Sequence, residues 1–251
     1  MLLPLQGKAT AAYATRRHVV KIAHESCRDQ MYTEALVAPL ARGVGVRTPA
    51  LIAWARQPDL AYSVWERVDG EPLDERDDAR VWRAVGRELA RLHTIARADD
   101  PRGVLRKPNK RDARPHLSAL TAERAAFIAR WLERCEAAPA GAERLTHYDV
   151  HGLNVICDGD GAATLIDWAD AAWADPAADF GAIPMHHVEH ALDGYEELAS
   201  LGESAEGRVL RAVIGQAVRK VATSDWNEPL AQLLAWLEAG PSRRFAKWLP
   251  R

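Results

Sequence analysis

One stretch of the 251-residue chain constrains it more than any other: His147-Tyr148-Asp149-Val150-His151-Gly152-Leu153-Asn154, followed by Leu165-Ile166-Asp167-Trp168. An Asp lies five residues before an Asn, and a second Asp follows that Asn by thirteen residues, at the end of an apolar run. In-line transfer of a γ-phosphoryl group needs a carboxylate within hydrogen-bond reach of the attacking hydroxyl, to orient it and to take its proton. Asp149 is the candidate base. Mg²⁺ is a hard cation that prefers oxygen ligands and keeps several waters, so one or two protein oxygens beside the phosphates suffice. Asn154 and Asp167 are the candidate metal ligands. Between them, Val155-Ile156-Cys157 and Ala163-Thr164-Leu165-Ile166 are short apolar runs, and Asp158-Gly159-Asp160-Gly161 is a turn cluster, which together predict a hairpin. That hairpin sets Asn154 at the start of one strand and Asp167 at the end of the other, both facing one metal. Any single Asp or Asn beside a turn is more often there to satisfy local backbone groups. The conjunction carries the reading.

Upstream, His18-Val19-Val20-Lys21-Ile22-Ala23 reads as an apolar strand with one Lys inside it. An interior ammonium is costly unless it finds anions, and phosphate oxygens serve. Glu34 follows by thirteen residues, in a stretch from Asp29 to Arg42 with helical apolar periodicity. A Lys–Glu pair between strand and helix positions the phosphate-contacting Lys in kinases. Glu25 is a second candidate partner, and solvated faces are the plain alternative for Lys21 and Glu34 alike. Between the two halves, Ala61 to Leu73 runs as a strand into a Gly and Pro turn, like a hinge. Adenine is expected to stack there, with backbone groups near Glu66 and Val68 bonding its edge.

On these motifs the chain resembles the aminoglycoside phosphotransferase family, the kinase-like group that also contains choline-kinase-like small-molecule kinases. Members carry a His-Gly-Asp-x-His-x-x-Asn loop, an Ile-Asp-Trp metal motif and a following acidic run. Here these appear as His147 to Asn154, Ile166-Asp167-Trp168-Ala169-Asp170 and Asp175-Pro176-Ala177-Ala178-Asp179-Phe180. The resemblance covers most of the chain and implies an α+β, protein-kinase-like two-lobe fold. It implies an N-terminal nucleotide-binding lobe over 1–65, a hinge over 66–73 and a catalytic and substrate-binding lobe over 74–251. By the same resemblance Asp149 is the base, Asn154 and Asp167 hold Mg²⁺, Lys21 contacts ATP with Glu34 as its partner, and Asp179 buttresses the catalytic loop. Two departures stand out. Tyr148 occupies the position where the family has Gly, and its side chain restricts the backbone freedom that Gly permits. The segment Leu5-Gln6-Gly7-Lys8-Ala9-Thr10 has one Gly where a phosphate-covering Gly-x-Gly-x-x-Gly loop belongs.

A zinc centre built on His147 and His151 is disfavoured, because these residues alternate along a loop that the kinase-like pattern already explains. Both read as structural. The net charge of −2 argues against a general nucleic-acid binder, which needs a basic surface to displace counterions. The Arg-rich stretch from Arg102 to Arg114 reads as a solvated loop. Three widely spaced cysteines, Cys27, Cys135 and Cys157, match neither a disulfide framework nor a metal site and point to a reducing, cytoplasmic setting. No stretch is long and apolar enough for a membrane span.

Helical periodicity dominates from about Arg76, with Val81, Trp82, Val85, Leu89, Leu92 and His93 on one face, then Ala122 to Ala137, and several helices after His186. Gly240-Pro241 ends the helix carrying Leu230, Leu233, Leu234 and Leu237. The acceptor should lie in this part. Asp193, Glu196, Glu197, Asp225 and Glu228 are candidates for an acidic wall facing a cationic acceptor, although carboxylates on helices are more commonly solvated. Trp226 and Trp236 are candidates for stacking, with core packing the commoner role of Trp at helical spacing. The expected activity is ATP- and Mg²⁺-dependent O-phosphorylation of a small hydroxylated molecule by a monomer or homodimer, with an aminoglycoside or other antibiotic the leading acceptor. Alternatives are a metabolic kinase acting on choline, homoserine, a sugar or thiamine, and a nucleotide-binding regulator without turnover. A protein kinase is disfavoured by the lack of an Ala-Pro-Glu segment.

Overall fold

The computed structural model describes residues 3–5, 10–23, 27–57, 60–73, 78–97, 105, 113–224, 227–240 and 242–250. Glu25, residues 6–9 of the N-terminal segment, most of the Arg-rich stretch (Arg102, Arg106, Lys107, Lys110 and Arg111), Asp225, Trp226 and Pro241 lie outside the described residues.

The chain begins with β1 (Leu3–Leu5), β2 (Thr10–Ala14) and β3 (His18–Ala23), crosses through α1 (Arg28–Gly43), and returns as β4 (Leu51–Arg56) and β5 (Ala61–Glu66). These strands form one antiparallel sheet in the order β1-β2-β3-β5-β4. Period-two alternation in β5 buries Ala61, Ser63 and Trp65 on one face. Trp65 Nε1 donates to Ser63 Oγ at 2.8 Å, so the polar atoms of both buried side chains are used. Lys21 sits opposite Ser63 in the β3–β5 register, which fixes its place in the strand. The helix expected from Asp29 to Arg42 is α1, and its buried face consists of Met31, Thr33, Glu34, Ala35, Val37, Ala38 and Ala41. Glu34, at 5% exposure, is carried into that interior by the helical period.

After the short β6 (Glu71–Pro72) come α2 (Ala79–Leu92), α3 (Ala122–Glu136), β7 (Arg144–Thr146), β8 (Val155–Cys157), β9 (Ala163–Leu165), β10 (Ala172–Ala174), α4 (Met185–Glu196), α5 (Ala205–Ser224) and α6 (Glu228–Ala239). Asp78 caps α2 by accepting the Arg80 N–H at 2.9 Å, and Thr121 caps α3. The helical stripe read from the sequence is buried: Val81, Trp82, Val85, Leu89 and Leu92 lie in one continuous core with residues of α3, α4, α5 and α6. Gly240 ends α6 at φ +88°, a positive φ that glycine takes without a Cβ penalty. The predicted hairpin forms as β8 and β9, with β6 added along β8. Its turn is closed by Asp158, whose Oδ1 accepts the N–H groups of Asp160 at 3.0 Å and Ala162 at 2.9 Å. Among the described residues no helix is long and apolar enough to cross a membrane.

Helices α2 and α4 pack closely because glycines face backbone at their crossing. A Cβ on Gly86 would lie 1.9 Å from the Ala191 carbonyl oxygen, and one on Gly194 would lie 1.9 Å from that of Arg83. Glu197 then bridges the pair, accepting from Arg83 Nε and Arg87 Nε at 2.5 Å each.

Two outcomes follow for this crossing. Gly86→Ala gains about 1 kcal/mol of helix propensity yet overpacks the contact, so chemical denaturation should show net destabilisation of about 1–3 kcal/mol. Hydrogen bonds from Arg87 and Arg83 hold the Glu197 carboxyl at about 2, below its ordinary 4.5. A carboxyl depressed in the folded state stabilises fully above its unfolded pKa and loses that contribution as pH falls through the folded one. The melting-temperature gap between the parent protein and Glu197→Gln should therefore be full at pH 7 and close as pH falls from about 4.5 towards 2.

Candidate active site

The loop carrying Asp149 hangs from a buried carboxylate. Strand β7 delivers the chain to His147, and Asp179, 1% exposed, accepts the next two backbone N–H groups: His147 at 3.0 Å on Oδ2 and Tyr148 at 2.6 Å on Oδ1. His93, at the end of α2, places Nε2 2.9 Å from the same Oδ2, and its Nδ1 is 3.1 Å from the Tyr195 hydroxyl on α4. Asp179 thus ties loop, α2 and α4 together. Tyr148 adopts φ +67°, the left-handed region that Gly takes at little cost and other residues enter at about 1–2 kcal/mol. The loop keeps a glycine-like backbone despite the Tyr side chain. The Asp179 bonds to consecutive N–H groups offset that strain.

His147 is fully buried, as its structural reading requires. Its Nε2 is 2.9 Å from the Ile166 carbonyl oxygen, and its ring centroid lies 4.5 Å from that of Trp168. Trp168 in turn donates from Nε1 to Thr48 Oγ1 at 2.9 Å. This chain of contacts locks the Asp149 loop to the Asp167 segment.

Asn154 sits at 7% exposure where β8 begins. Its Nδ2 donates to the Asp149 carbonyl at 2.9 Å and to Asp149 Oδ2 at 3.3 Å, so the amide oxygen faces the other way. His151 Nε2 lies 3.3 Å from Asp149 Oδ2 as well. The Ile166 N–H donates to the Asn154 carbonyl at 3.0 Å, which places Asp167, one residue on, at the same end of the hairpin as Asn154. Asp167 has φ +65° and a half-exposed carboxylate. Asn154 Oδ1 and the Asp167 carboxylate are hard oxygen donors of the kind Mg²⁺ accepts, and they are the residues that would hold it.

Lys21 Nζ completes the cluster, 2.7 Å from Glu34 Oε1 and 3.5 Å from Asp167 Oδ1. Burial alone would favour the neutral amine, but the Glu34 and Asp167 carboxylates outweigh that penalty and hold the Lys21 pKa above its ordinary value. Lys21 stays an ammonium. Burial pushes Glu34 upward, against the lowering pull of Lys21, and Glu34 also accepts the Trp168 backbone N–H. Through that bond α1 reports directly on the Asp167 segment. The structure therefore gathers Lys21, Glu34, Asp167, Asn154 and Asp149 into one connected cluster. Glu66 and Val68 lie apart from it, where β5 runs out towards β6. The Glu66 N–H is bonded to the Ala50 carbonyl at 2.9 Å, so that donor is already committed.

The acidic candidates on α4 fare differently. Glu197 is taken up by Arg83 and Arg87, and Asp193 and Glu196 by Arg244, so these carboxylates serve helix packing and do not form an uncompensated wall. Glu228 accepts from Gln232 one turn on. Trp236, partly buried, packs edge-on against the core residue Phe245, 5.4 Å between centroids. Sequence reasoning put His93 on an apolar face and missed its bond to Asp179. A lone His ending an otherwise apolar helical stripe was the signal available.

Residues 10–212 match the model of the phosphotransferase enzyme family, and the chain belongs to that family. Its fold is that of the kinase-like small-molecule phosphotransferases. A choline/ethanolamine kinase family protein from Mesorhizobium loti superposes with a TM-score of 0.67 at 14% identity, covering 99% of this chain and 90% of that one. Spectinomycin phosphotransferase APH(9)-Ia, solved with ADP and spectinomycin, gives 0.64 at 14% identity, with 96% and 89% covered. Aminoglycoside phosphotransferase APH(4)-Ia gives 0.61 at 18% identity, with 96% and 94% covered. A search of curated protein sequences finds no match.

Removing the Asp179 carboxylate leaves His93 Nε2 and the His147 and Tyr148 backbone donors without this acceptor. Asp179→Ala should cost about 3–5 kcal/mol in a denaturant titration, whereas Asp167→Ala, at a half-exposed position, should leave stability within about 1 kcal/mol.

Proposed function

We propose that this small-molecule phosphotransferase transfers the γ-phosphoryl group of ATP to a hydroxyl of a small acceptor, using Asp149 as base, Lys21 as phosphate contact and Asn154 with Asp167 as Mg²⁺ ligands. The observation that carries the reading is the meeting of Lys21 with Asp167, 146 positions apart, at 3.5 Å, with Glu34 holding the same ammonium at 2.7 Å. A buried ammonium oriented by one carboxylate and shared with a half-exposed second is poised to receive anionic phosphate oxygens. In this reading residues 1–65 bind nucleotide, 66–73 form the hinge where the Glu66 carbonyl and Val68 meet adenine, and 74–251 bring the acceptor. Mg²⁺ supplies charge neutralisation of the phosphates.

The remaining chemistry belongs to the chain. Asp149 Oδ2 is set by Asn154 and His151, so the carboxylate is oriented before a hydroxyl arrives. It accepts the acceptor's proton as the oxygen attacks, and it steers a lone pair in line with the leaving group. The loop is rigid because Asp179 fixes it, which limits catalysis to acceptors whose hydroxyl reaches Asp149 without loop movement.

An aminoglycoside or other hydroxylated antibiotic is the leading acceptor, supported by the kinship of fold with the spectinomycin enzyme. A metabolic kinase with a choline-like acceptor is the second reading, supported by the choline/ethanolamine kinase family neighbour. Asp193, Glu196 and Glu197 are already paired with arginines, so these three carboxylates are not the partners proposed for a cationic acceptor. A cytoplasmic location, where ATP is available, goes with either reading.

Mg²⁺-dependent ADP formation by the purified chain should appear with one class in a panel of aminoglycosides, spectinomycin, choline, homoserine and sugars. Asp149→Asn should lower kcat about 10²–10⁴-fold with the nucleotide KM nearly unchanged. Acceptor-dependent turnover that survives Asp149→Asn would remove the proposed base.

A further inference from the structure

Tyr148 is the costly residue of the catalytic loop. Three residues other than glycine take a positive φ among the described residues: Tyr148, Asp167 and Ser204. Asp enters the left-handed region comparatively readily and Ser is small, whereas a bulky side chain there is an outlier. Asp167 already has a proposed role at the metal. A glycine at position 148 would keep the same backbone without strain. The Tyr148 ring is half-buried, so part of its surface stays open. Its backbone is held in place, because its N–H donates to Asp179 Oδ1 at 2.6 Å. Strain that persists where a smaller residue would avoid it marks a functional position.

Five residues on, Leu153 is 55% exposed, the most exposed large apolar side chain among the described residues. The local turn explains why it stays outside. The His151 N–H donates to the Asp149 carbonyl at 3.1 Å and the Asn154 N–H to the His151 carbonyl at 2.9 Å. In this tight turn Val150, Gly152 and Asn154 are buried, and Leu153 is left at the surface. A lone exposed Leu is ordinary on an open surface. This one directly precedes the proposed metal ligand Asn154, in the loop that carries the proposed base. An acceptor hydroxyl must come to Asp149, whose Cα is one step of about 3.8 Å from that of Tyr148. Whatever flanks the hydroxyl therefore arrives beside an aromatic ring and an aliphatic side chain, while Asp193, Glu196 and Glu197 are already paired with arginines.

We propose that Tyr148 and Leu153 are acceptor-selecting residues, forming an apolar rim beside the Asp149 carboxylate that takes a neutral molecule whose reacting hydroxyl is flanked by apolar carbon surface. The inference rests on the phosphoryl transfer proposed above, because Asp149 marks where the hydroxyl must come. It deepens that reading by setting the acceptor's chemistry. Apolar contact with the rim is gained in proportion to the area it removes from water, whereas an ammonium placed there loses hydration without a carboxylate to replace it.

The test is calorimetric titration of the full chain saturated with ADP and Mg²⁺, so that binding is read without turnover. Phenyl β-D-glucopyranoside and chloramphenicol serve as neutral hydroxylated probes with an apolar ring, and D-glucosamine as a hydroxylated cation. At least one neutral probe should bind about tenfold or more tightly than glucosamine. Tyr148→Gly and Leu153→Ser should each remove most of that preference, Tyr148→Phe should retain it, and ADP affinity should stay the same throughout. Glucosamine binding as tightly as the neutral probes, a preference that survives in either variant, or no neutral probe binding below about 10 mM overturns the proposal. Repeating the titrations with ATP separates the two readings. Neutral-probe binding without ADP formation strikes the phosphoryl transfer and leaves the rim, whereas glucosamine turnover undisturbed by Tyr148→Gly and Leu153→Ser strikes the rim and leaves the transfer.

Discussion

The buried Asp179 carboxylate is the contact on which the rest of the site depends. One oxygen accepts from the Tyr148 N–H, and the other is shared by the His147 N–H and His93. Two of these bonds hold the loop itself, and the third joins it to the end of α2. A buried carboxylate is costly to solvate away from water, and full hydrogen bonding is what makes it tolerable. Tyr148, the second of the two backbone donors, takes a φ of +67° directly before Asp149. Asp149 is thereby presented at a fixed angle, with Asn154 and His151 restraining its side chain.

A second constraint joins the sheet to the helical part. Lys21 reaches from β3 to Glu34 on α1 and to Asp167 beyond β9, and Glu34 also accepts from the Trp168 backbone. Because Glu34 is buried on α1 and Trp168 is buried and bonded to Thr48, the ammonium cannot be displaced without moving both parts. The half-exposed Asp167 is the one group in this set that can turn to a cation. Rigidity around Lys21 and latitude at Asp167 suit the nucleotide-binding role proposed for this cluster.

Much of this was legible in the sequence because it rests on local signals. The Asp158 to Gly161 turn, the apolar runs on either side, and the spacing of Asp149, Asn154 and Asp167 specify a hairpin and what it brings together. Lys21 inside an apolar strand and Glu34 thirteen residues on likewise foretold their pairing, because a buried ammonium needs a buried partner. His93 was opaque: its partner Asp179 is 86 residues away, and nothing in an apolar helical stripe says which buried atom a terminal His will meet. The fate of Asp193, Glu196 and Glu197 was equally hidden, since it depends on Arg83, Arg87 and Arg244, brought close by the glycine-mediated crossing of α2 and α4 and by the C-terminal segment. Charge on a helix face is visible in sequence, whereas its neutralisation by a distant helix is not.

The most direct measurement is calorimetric titration of ATP into the protein and into Asp167→Asn, each with and without Mg²⁺. If Asn154 and Asp167 form the metal site beside Lys21, Mg²⁺ tightens ATP binding about tenfold or more in the parent protein, roughly 1.4 kcal/mol, and leaves the variant's affinity unchanged. Equal Mg²⁺ dependence in both proteins would contradict the assignment.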